Sequence, residues 1–193
     1  MNQTEGIRSF IAIELPPAVK QAIQSFQDYL KPVIPGVRWV KPESIHLTLK
    51  FLGDVPEEKL HGIGSQLGEW VSNAFPYTLK PGGFGAFPNK FRPRVLWIGF
   101  SSVPEIHDLL VSQLEAGLVA HGFKKEKKPH RPHLTIARVR VPGSTGRALD
   151  RIGGEEPPEF PEFLVNRIIL FRSDLEPSGA RYTELVSTSF AGR

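Results

Sequence analysis

The sequence predicts an α+β fold in which two similar lobes, each pairing a sheet with helices, face one another across a cleft. Three observations carry this. Segments with strand-like alternation and segments with helical spacing of apolar residues follow one another in a related order in both halves of the chain. The tetrapeptide HLTL at residues 46–49 returns almost unchanged as HLTI at residues 133–136, in corresponding places of the two halves. No linker-like run divides residues 1–193, so they read as a single bilobal domain.

Ser9–Leu15 reads as a first, mostly buried strand. Pro16 and Pro17 then open a helix to about Leu30, because proline's fixed φ suits a first helical turn and Val19, Ile23, Phe26 and Leu30 share one face. Pro32 stops it. A short strand at Val37–Val40 leads to the strand His46–Leu52, which Gly53 is expected to close. Glu57 to about Val71 forms a second helix, with Leu60, Ile63, Leu67 and Trp70 on one side. Strands near Tyr77–Phe84 and Val95–Phe100 flank the turn-rich segment Phe87-Pro88-Asn89. A helix from Pro104 to about Ala120 ends at Gly122. The strand His133–Val139 follows, then a short helix near Thr145–Ile152 and a Gly- and Pro-rich loop from Gly153 through Pro161. Two last strands, Leu164–Ser173 and Arg181–Phe190, join through the turn Glu176-Pro177-Ser178-Gly179.

Composition narrows the functional classes. Hydrophobic residues at 40% and charged residues at 23% are the balance of a globular chain and exclude wholesale disorder. The absence of cysteine removes disulfides, thiolate nucleophiles and cysteine-based zinc sites together, and suits a reducing compartment. Apolar runs such as Ile168–Phe171 are far too short to span a bilayer. The first residues also lack the basic start and apolar stretch of a secretion signal, so a cytoplasmic protein with no membrane association is expected. A formal net charge of +4 is a weak bias toward anionic partners. Its distribution says more: Lys124, Lys125, Lys127, Lys128, Arg131, Arg138 and Arg140 stand against the single Glu126 within residues 124–140. Alone, such a run is a solvated turn, but here it leads into the second tetrapeptide.

Strand geometry turns the tetrapeptides into chemistry. Strict alternation puts His46, Thr48 and Lys50 on one face, and Leu47, Leu49 and Phe51 on the other. His133 and Thr135 likewise share a face opposite Leu134 and Ile136. With the apolar sets buried under helices, each His–Thr pair is left for the cleft. A lone strand histidine is more often structural than catalytic. Two in matched settings, where residue frequencies predict far fewer than one chance match, shift that balance. Each imidazole titrates near neutrality, so one accepts a proton while the other donates one. In-line displacement at phosphorus needs such a pair, one on the attacking oxygen and one on the departing oxygen. Threonine hydroxyls and a nearby arginine would stabilise charge on the non-bridging oxygens. A 2′,3′-cyclic phosphate suits this apparatus, because its strained ring lessens the need for a metal ion.

The paired H-apolar-T-apolar motifs resemble those of the two-histidine (2H) phosphoesterases. The fuller strings RSFIAIELP, HLTLKFLGDV, GFGAFPNKFRPRVLWIG, RPHLTIAR and FRSDLEPSGARYTEL are similar to the RNA 2′,3′-cyclic phosphodiesterase (2′-5′ RNA ligase) branch, and they span nearly the whole chain. The resemblance implies a bilobal fold with a pseudo-twofold axis and a water-open cleft. It also implies metal-independent hydrolysis of RNA ends or nucleotides bearing a 2′,3′-cyclic phosphate to 2′-phosphomonoesters, with reversible 2′-5′ ligation as a related activity. Carried over by motif, His46 matches the proton donor and His133 the proton acceptor. Thr48 and Thr135 match the phosphate-binding threonines, and Arg138 the arginine that follows the second motif. No cofactor, metal, membrane or obligate protein partner is implied.

Geometry and resemblance disagree on the arginine. Arg138 falls on the face opposite His133 by strict alternation, whereas Arg131 shares its parity, although a bulge would bring Arg138 into the cleft. Both are therefore candidates. His61, His107 and His121 read as surface or structural residues on helices or at a helix end, and His130 as part of a solvated turn. Trp39, Phe84 and Phe87 are of the kind that stacks on bases, with core packing the favoured role. The alternative function is a noncatalytic RNA-end binding module, which lysine or arginine would serve without two histidines. A metallohydrolase ranks last, since neither tetrapeptide contains a carboxylate.

Overall fold

The two motif strands lie side by side near the middle of one antiparallel sheet. This emerges from a computed structural model that describes residues 6–152, 158–177 and 179–191. Residues 153–157 of the expected loop and Ser178 of the expected last turn lie outside the described residues. In chain order the elements are β1 (Ile7–Glu14), α1 (Pro17–Leu30), β2 (Val37–Trp39), a 3-10 turn (Pro42–Ser44), β3 (His46–Val55), α2 (Glu57–Trp70), β4 (Tyr77–Phe87), β5 (Val95–Ser102), α3 (Glu105–Ala120), β6 (Leu134–Val139), α4 (Pro142–Ile152), β7 (Phe163–Val165), β8 (Arg167–Glu176) and β9 (Gly179–Ser189). The strands join in the order β7-β4-β5-β6-β3-β1-β8-β9, with β2 also pairing β6. This is the α+β class the pattern predicts.

The expected strand Leu164–Ser173 is two strands. β7 pairs β4 at one end of the sheet, while β8 pairs β1 and β9 toward the other. Asn166 alone links them, and its carbonyl accepts a bond from Phe190 N at 2.8 Å. A one-residue link between opposite ends forces the sheet to curl until those ends approach. The crossover was hard to see because buried residues stand on both sides of it, Phe163 and Val165 in β7 and Ile168, Ile169 and Leu170 in β8, with only Asn166-Arg167 between them.

Helices cover one side of the curl. Val19, Ile23, Phe26 and Leu30 of α1 are buried at the predicted spacing, and Leu60, Ile63 and Leu67 do the same for α2. Where α2 meets α3, Gly117 gives the Trp70 ring room that a Cβ would take. The core they share with Leu47, Leu49, Leu134 and Ile136 is continuous.

The alternation expected of β3 breaks partway along. Ile11 faces Lys50 and Ala12 faces Thr48 across β1, so Leu49 is an extra residue, a β-bulge. Beyond it the faces exchange: Lys50 is buried on the helix side and Phe51 turns outward. This corrects the placement of Lys50 beside His46 and Thr48. Lys50 Nζ instead pairs with Glu115 of α3 and with Glu126 at 3.0 Å. Taking Lys50 away would strand the buried Glu115 charge, a loss of about 3–5 kcal/mol for such pairs. Nor does Gly53 close the strand. β3 continues to Val55, with Gly53 at φ 75° in the left-handed region.

Candidate active site

Only one register pair, Leu47 with Leu134, joins β3 to β6. The sheet thus divides into a β3-β1-β8-β9 half and a β2-β6-β5-β4-β7 half, with a motif strand at the inner edge of each. A cleft of about 500 Å³ opens over this seam. His46, Thr48, His133, Thr135 and Arg138 all line it.

The two histidines are held alike. His46 Nδ1 donates to the carbonyl of Ser44 at 2.9 Å, and His133 Nδ1 to the carbonyl of Arg131 at 2.8 Å. A carbonyl only accepts, so the proton in each neutral ring sits on Nδ1 and Nε2 is left with a free lone pair. Each ring also leans on an aromatic neighbour. His46 stacks on Phe10 at 4.6 Å between centroids and meets the edge of Tyr182 at 5.0 Å, while His133 meets Phe87 edge-on at 5.1 Å. Burial pushes His46 down from 6.5 to about 4; the Ser44 carbonyl works against this, and the charges of Lys20, Arg138 and His133 add to it. Burial likewise pushes the Tyr182 hydroxyl up, with Arg138 and Arg8 opposing.

The second motif strand has the same irregularity as the first. Trp97 faces Thr135 and Leu96 faces Ala137, so Ile136 is an extra residue in β6. Each bulge therefore falls on the last residue of its tetrapeptide, Leu49 in one strand and Ile136 in the other. Beyond Ile136 the faces exchange and Arg138 joins Thr135 on the cleft side. Arg131, the candidate by parity, is exposed and not among the cleft residues; its contribution is the carbonyl that orients His133. Pro132 interrupts the strand there, and β6 begins only at Leu134.

Gln27 pins the second bulge. This residue of α1 is buried, and its Nε2 donates to the carbonyls of Val40 and Ile136 at 2.8 and 2.9 Å. Sequence reasoning passed over it because one polar residue on an apolar helical face carries no signature of its role. Phe51 and Arg8 were missed too. Phe51 lies in the cleft at the place in its strand that Arg138 holds in the other, with the Arg8 guanidinium 4.6 Å above its ring. Tyr182, from the string FRSDLEPSGARYTEL, and Arg38 and Lys41, from a segment outside the quoted strings, also line the cleft.

Other sequence candidates fall elsewhere. Lys124, Lys125, Lys127 and Lys128 are exposed and do not line the cleft. His130 is half-buried rather than solvated, because Nε2 donates to the Thr48 carbonyl at 3.0 Å behind the motif strand. His107 is fully buried beside it, with Nδ1 2.7 Å from the Tyr77 hydroxyl. Trp39 borders the cleft, whereas Phe84 packs on Phe26. Among the described residues, no three His, Cys, Asp or Glu side chains are grouped to hold a metal ion, and no helix is long and apolar enough to cross a membrane.

These are the fold and cleft of a phosphoesterase built on two histidine motifs, and comparison with known proteins agrees. The LigT like Phosphoesterase family model matches residues 13–97 and 101–182. An RNA 2′,3′-cyclic phosphodiesterase of Methanothermobacter thermautotrophicus is 34% identical over 93% of this chain and 96% of its own. One of Thermotoga maritima is 35% identical over 96% and 97%. A solved structure from Thermus thermophilus superposes with a TM-score of 0.78 at 30% identity, covering 97% of this chain and all of that one. Escherichia coli LigT in complex with NADP+ superposes with a TM-score of 0.76 at 25% identity over 97% and 99%. The chain belongs to the LigT-like phosphoesterase family.

Proposed function

We propose that this protein hydrolyses the 2′,3′-cyclic phosphate of RNA ends or nucleotides to a 2′-phosphomonoester, by acid–base catalysis between His133 and His46. The observation that carries this is the matched pair of imidazoles, each with Nδ1–H engaged by a backbone carbonyl and Nε2 free in one cleft. The names of the relatives supply the substrate class.

His133 Nε2 takes a proton from water as the water oxygen attacks phosphorus. The P–O3′ bond breaks, and His46 Nε2 gives its proton to the departing 3′-oxygen, leaving a 2′-phosphate and a 3′-hydroxyl. Thr48, Thr135 and Arg138 meet the non-bridging oxygens, whose charge grows in the transition state. A 5′-hydroxyl in place of water would give the 2′-5′ linkage by the same route. His46 must be protonated at the start, yet burial holds it near 4. The bound phosphate supplies the opposing charge that raises it. Which histidine takes which part rests on the family resemblance.

Incubation with nucleoside 2′,3′-cyclic phosphates in excess chelator, with phosphorus NMR of the product, tests the reading. The expected product is the 2′-phosphate, formed without added metal. A predominantly 3′-phosphate product would reverse the two roles, and no turnover would sink the hydrolytic reading.

A further inference from the structure

Arg38 of β2 stands directly opposite Arg138 of β6 in the antiparallel register. Like charges at opposed positions destabilise a strand pair, and their Cα atoms lie only about 4.5–5.5 Å apart. Among the described residues no carboxylate forms an ion pair with Arg38, Arg138, Lys41 or Arg8, all of which line the cleft. The one acid in that lining, Glu176, is held by Arg181 at 2.8 Å. Among the described residues, four cations thus share one cleft without a paired carboxylate, an arrangement that two anionic groups would relieve better than one.

The two opposed arginines have different neighbours. Arg138 is among the charges acting on His46 and on Tyr182, and Arg38 is among neither set. The Arg38 guanidinium instead reaches the β8–β9 turn, with Nη2 3.0 Å from where a Cβ on Gly179 would stand. Gly179, at φ 137°, allows that close approach. Lys41 follows on the same edge segment, immediately before the 3-10 turn that leads into His46.

We propose that Arg38, with Lys41 beside it, forms a second phosphate subsite, which takes the phosphate on the 5′ side of the nucleoside whose 2′,3′-phosphate meets Arg138. The inference rests on the hydrolytic reading above and adds a preference for a strand end, or a 5′-phosphorylated nucleotide, over a bare nucleoside cyclic phosphate. Two guanidinium groups from neighbouring positions fan onto two successive phosphates of one strand, and the like-charge pair is satisfied only when both are present.

Binding of adenosine 2′,5′-bisphosphate and of adenosine 2′-monophosphate, measured by calorimetry on the whole protein, provides the test. The wild-type protein should favour the bisphosphate about tenfold, the order of one charge-assisted hydrogen bond. Arg38→Gln should bring that ratio close to one, and Arg38→Lys should restore part of it. In Arg38→Gln the salt dependence of single-stranded RNA binding should flatten by about 0.7 in log–log slope, the share of one phosphate that is no longer neutralised. A wild-type ratio near one, or a ratio that Arg38→Gln leaves unaltered, would overturn the subsite. The hydrolytic reading fails by a different sign, absence of turnover of the cyclic phosphate by the wild-type protein, so the two failures are told apart.

Discussion

Leu47 and Leu134 are direct partners across the seam of the sheet, and antiparallel counting outward from them sets His46 against Thr135 and Thr48 against His133. A local twofold axis therefore passes between the two leucines. Each histidine falls opposite the threonine of the other motif, so under the proposed mechanism neither half would hold a complete acid–base and phosphate-binding set. The leucines face the core and fix this crossing by burial, at 0% exposure each.

The first prediction follows from that division of labour. His133→Ala and His46→Gln should each lower turnover by about 10²–10⁴-fold, the usual worth of one acid or base. Glutamine is chosen at residue 46 because it keeps bulk between Phe10 and Tyr182. The rate of the wild-type protein should be bell-shaped in pH, since one ring must be neutral and the other charged. Near-normal turnover by either variant, or a rate rising steadily into alkali, would remove the pair from the mechanism.

Arg138→Gln should raise the pKa of His46 in the ligand-free protein above its value of about 4. Burial is the main cause of the low value, and Arg138 is one of the charges that deepens it. Inorganic phosphate added to the wild-type protein should move His46 in the same direction by bringing negative charge. Imidazole NMR titration reads both. A His46 resonance that ignores both changes would separate Arg138 and the phosphate from this ring.

Gln27→Leu should destabilise the fold by about 1–3 kcal/mol, since the buried Ile136 carbonyl and the half-buried Val40 carbonyl lose their side-chain donor. Gln27→Glu should be worse at neutral pH, because a carboxylate would face two carbonyls. Both variants should also raise KM for the cyclic phosphate, as the bulge that turns Arg138 into the cleft loses its pin. Denaturant midpoints and steady-state kinetics check the two effects, and an unchanged KM in a destabilised variant would confine Gln27 to stability.

His107 predicts the response to acid. Burial lowers it from 6.5 to about 4, with the neighbouring His130 adding to the effect. Between those values the unfolded chain binds more protons than the folded one, so stability rises with pH across the window. The contribution is fully present above about pH 6.5 and is lost as pH falls toward 4, to the extent of about 3 kcal/mol. His46 acts in the same sense over the same window. Urea denaturation at pH 4.5 and 7.5 should show the loss, and His107→Gln should shrink the difference between the two.

Much of this was legible in the sequence, for identifiable reasons. Proline pairs and three-four spacing placed α1, because those signals are local and backbone-encoded. The motif faces were legible as far as the fourth residue of each tetrapeptide, and failed beyond it. Neither bulge is marked by glycine, and Leu49 and Ile136 are ordinary strand residues. The second left one trace, the adjacent apolar pair Ile136-Ala137, which alternation cannot accommodate. The first left none, because its displaced residue is Lys50, whose burial depends on Glu115 far along the chain. Asn166-Arg167 was a two-residue polar break between apolar runs, and only the sheet's closure gives it meaning. Arg8 and Tyr182 lay within strings that carried the resemblance but had no spacing that aimed them at the cleft, and Arg38 reaches it by tertiary folding alone.

Change of length and change of side chain should have very different fates in these strands. A single insertion or deletion between His46 and Phe51, or between His133 and Arg138, would carry every later residue of that strand to the other face. Lys50 would then enter the cleft and Phe51 the core, or Arg138 would be driven under the helices. Replacement of Phe51 at constant length disturbs only the cleft wall. The twin bulges thus make the spacing of five residues from each histidine a harder constraint on descent than the identity of the residue it delivers, and diversification of the cleft is channelled into substitution.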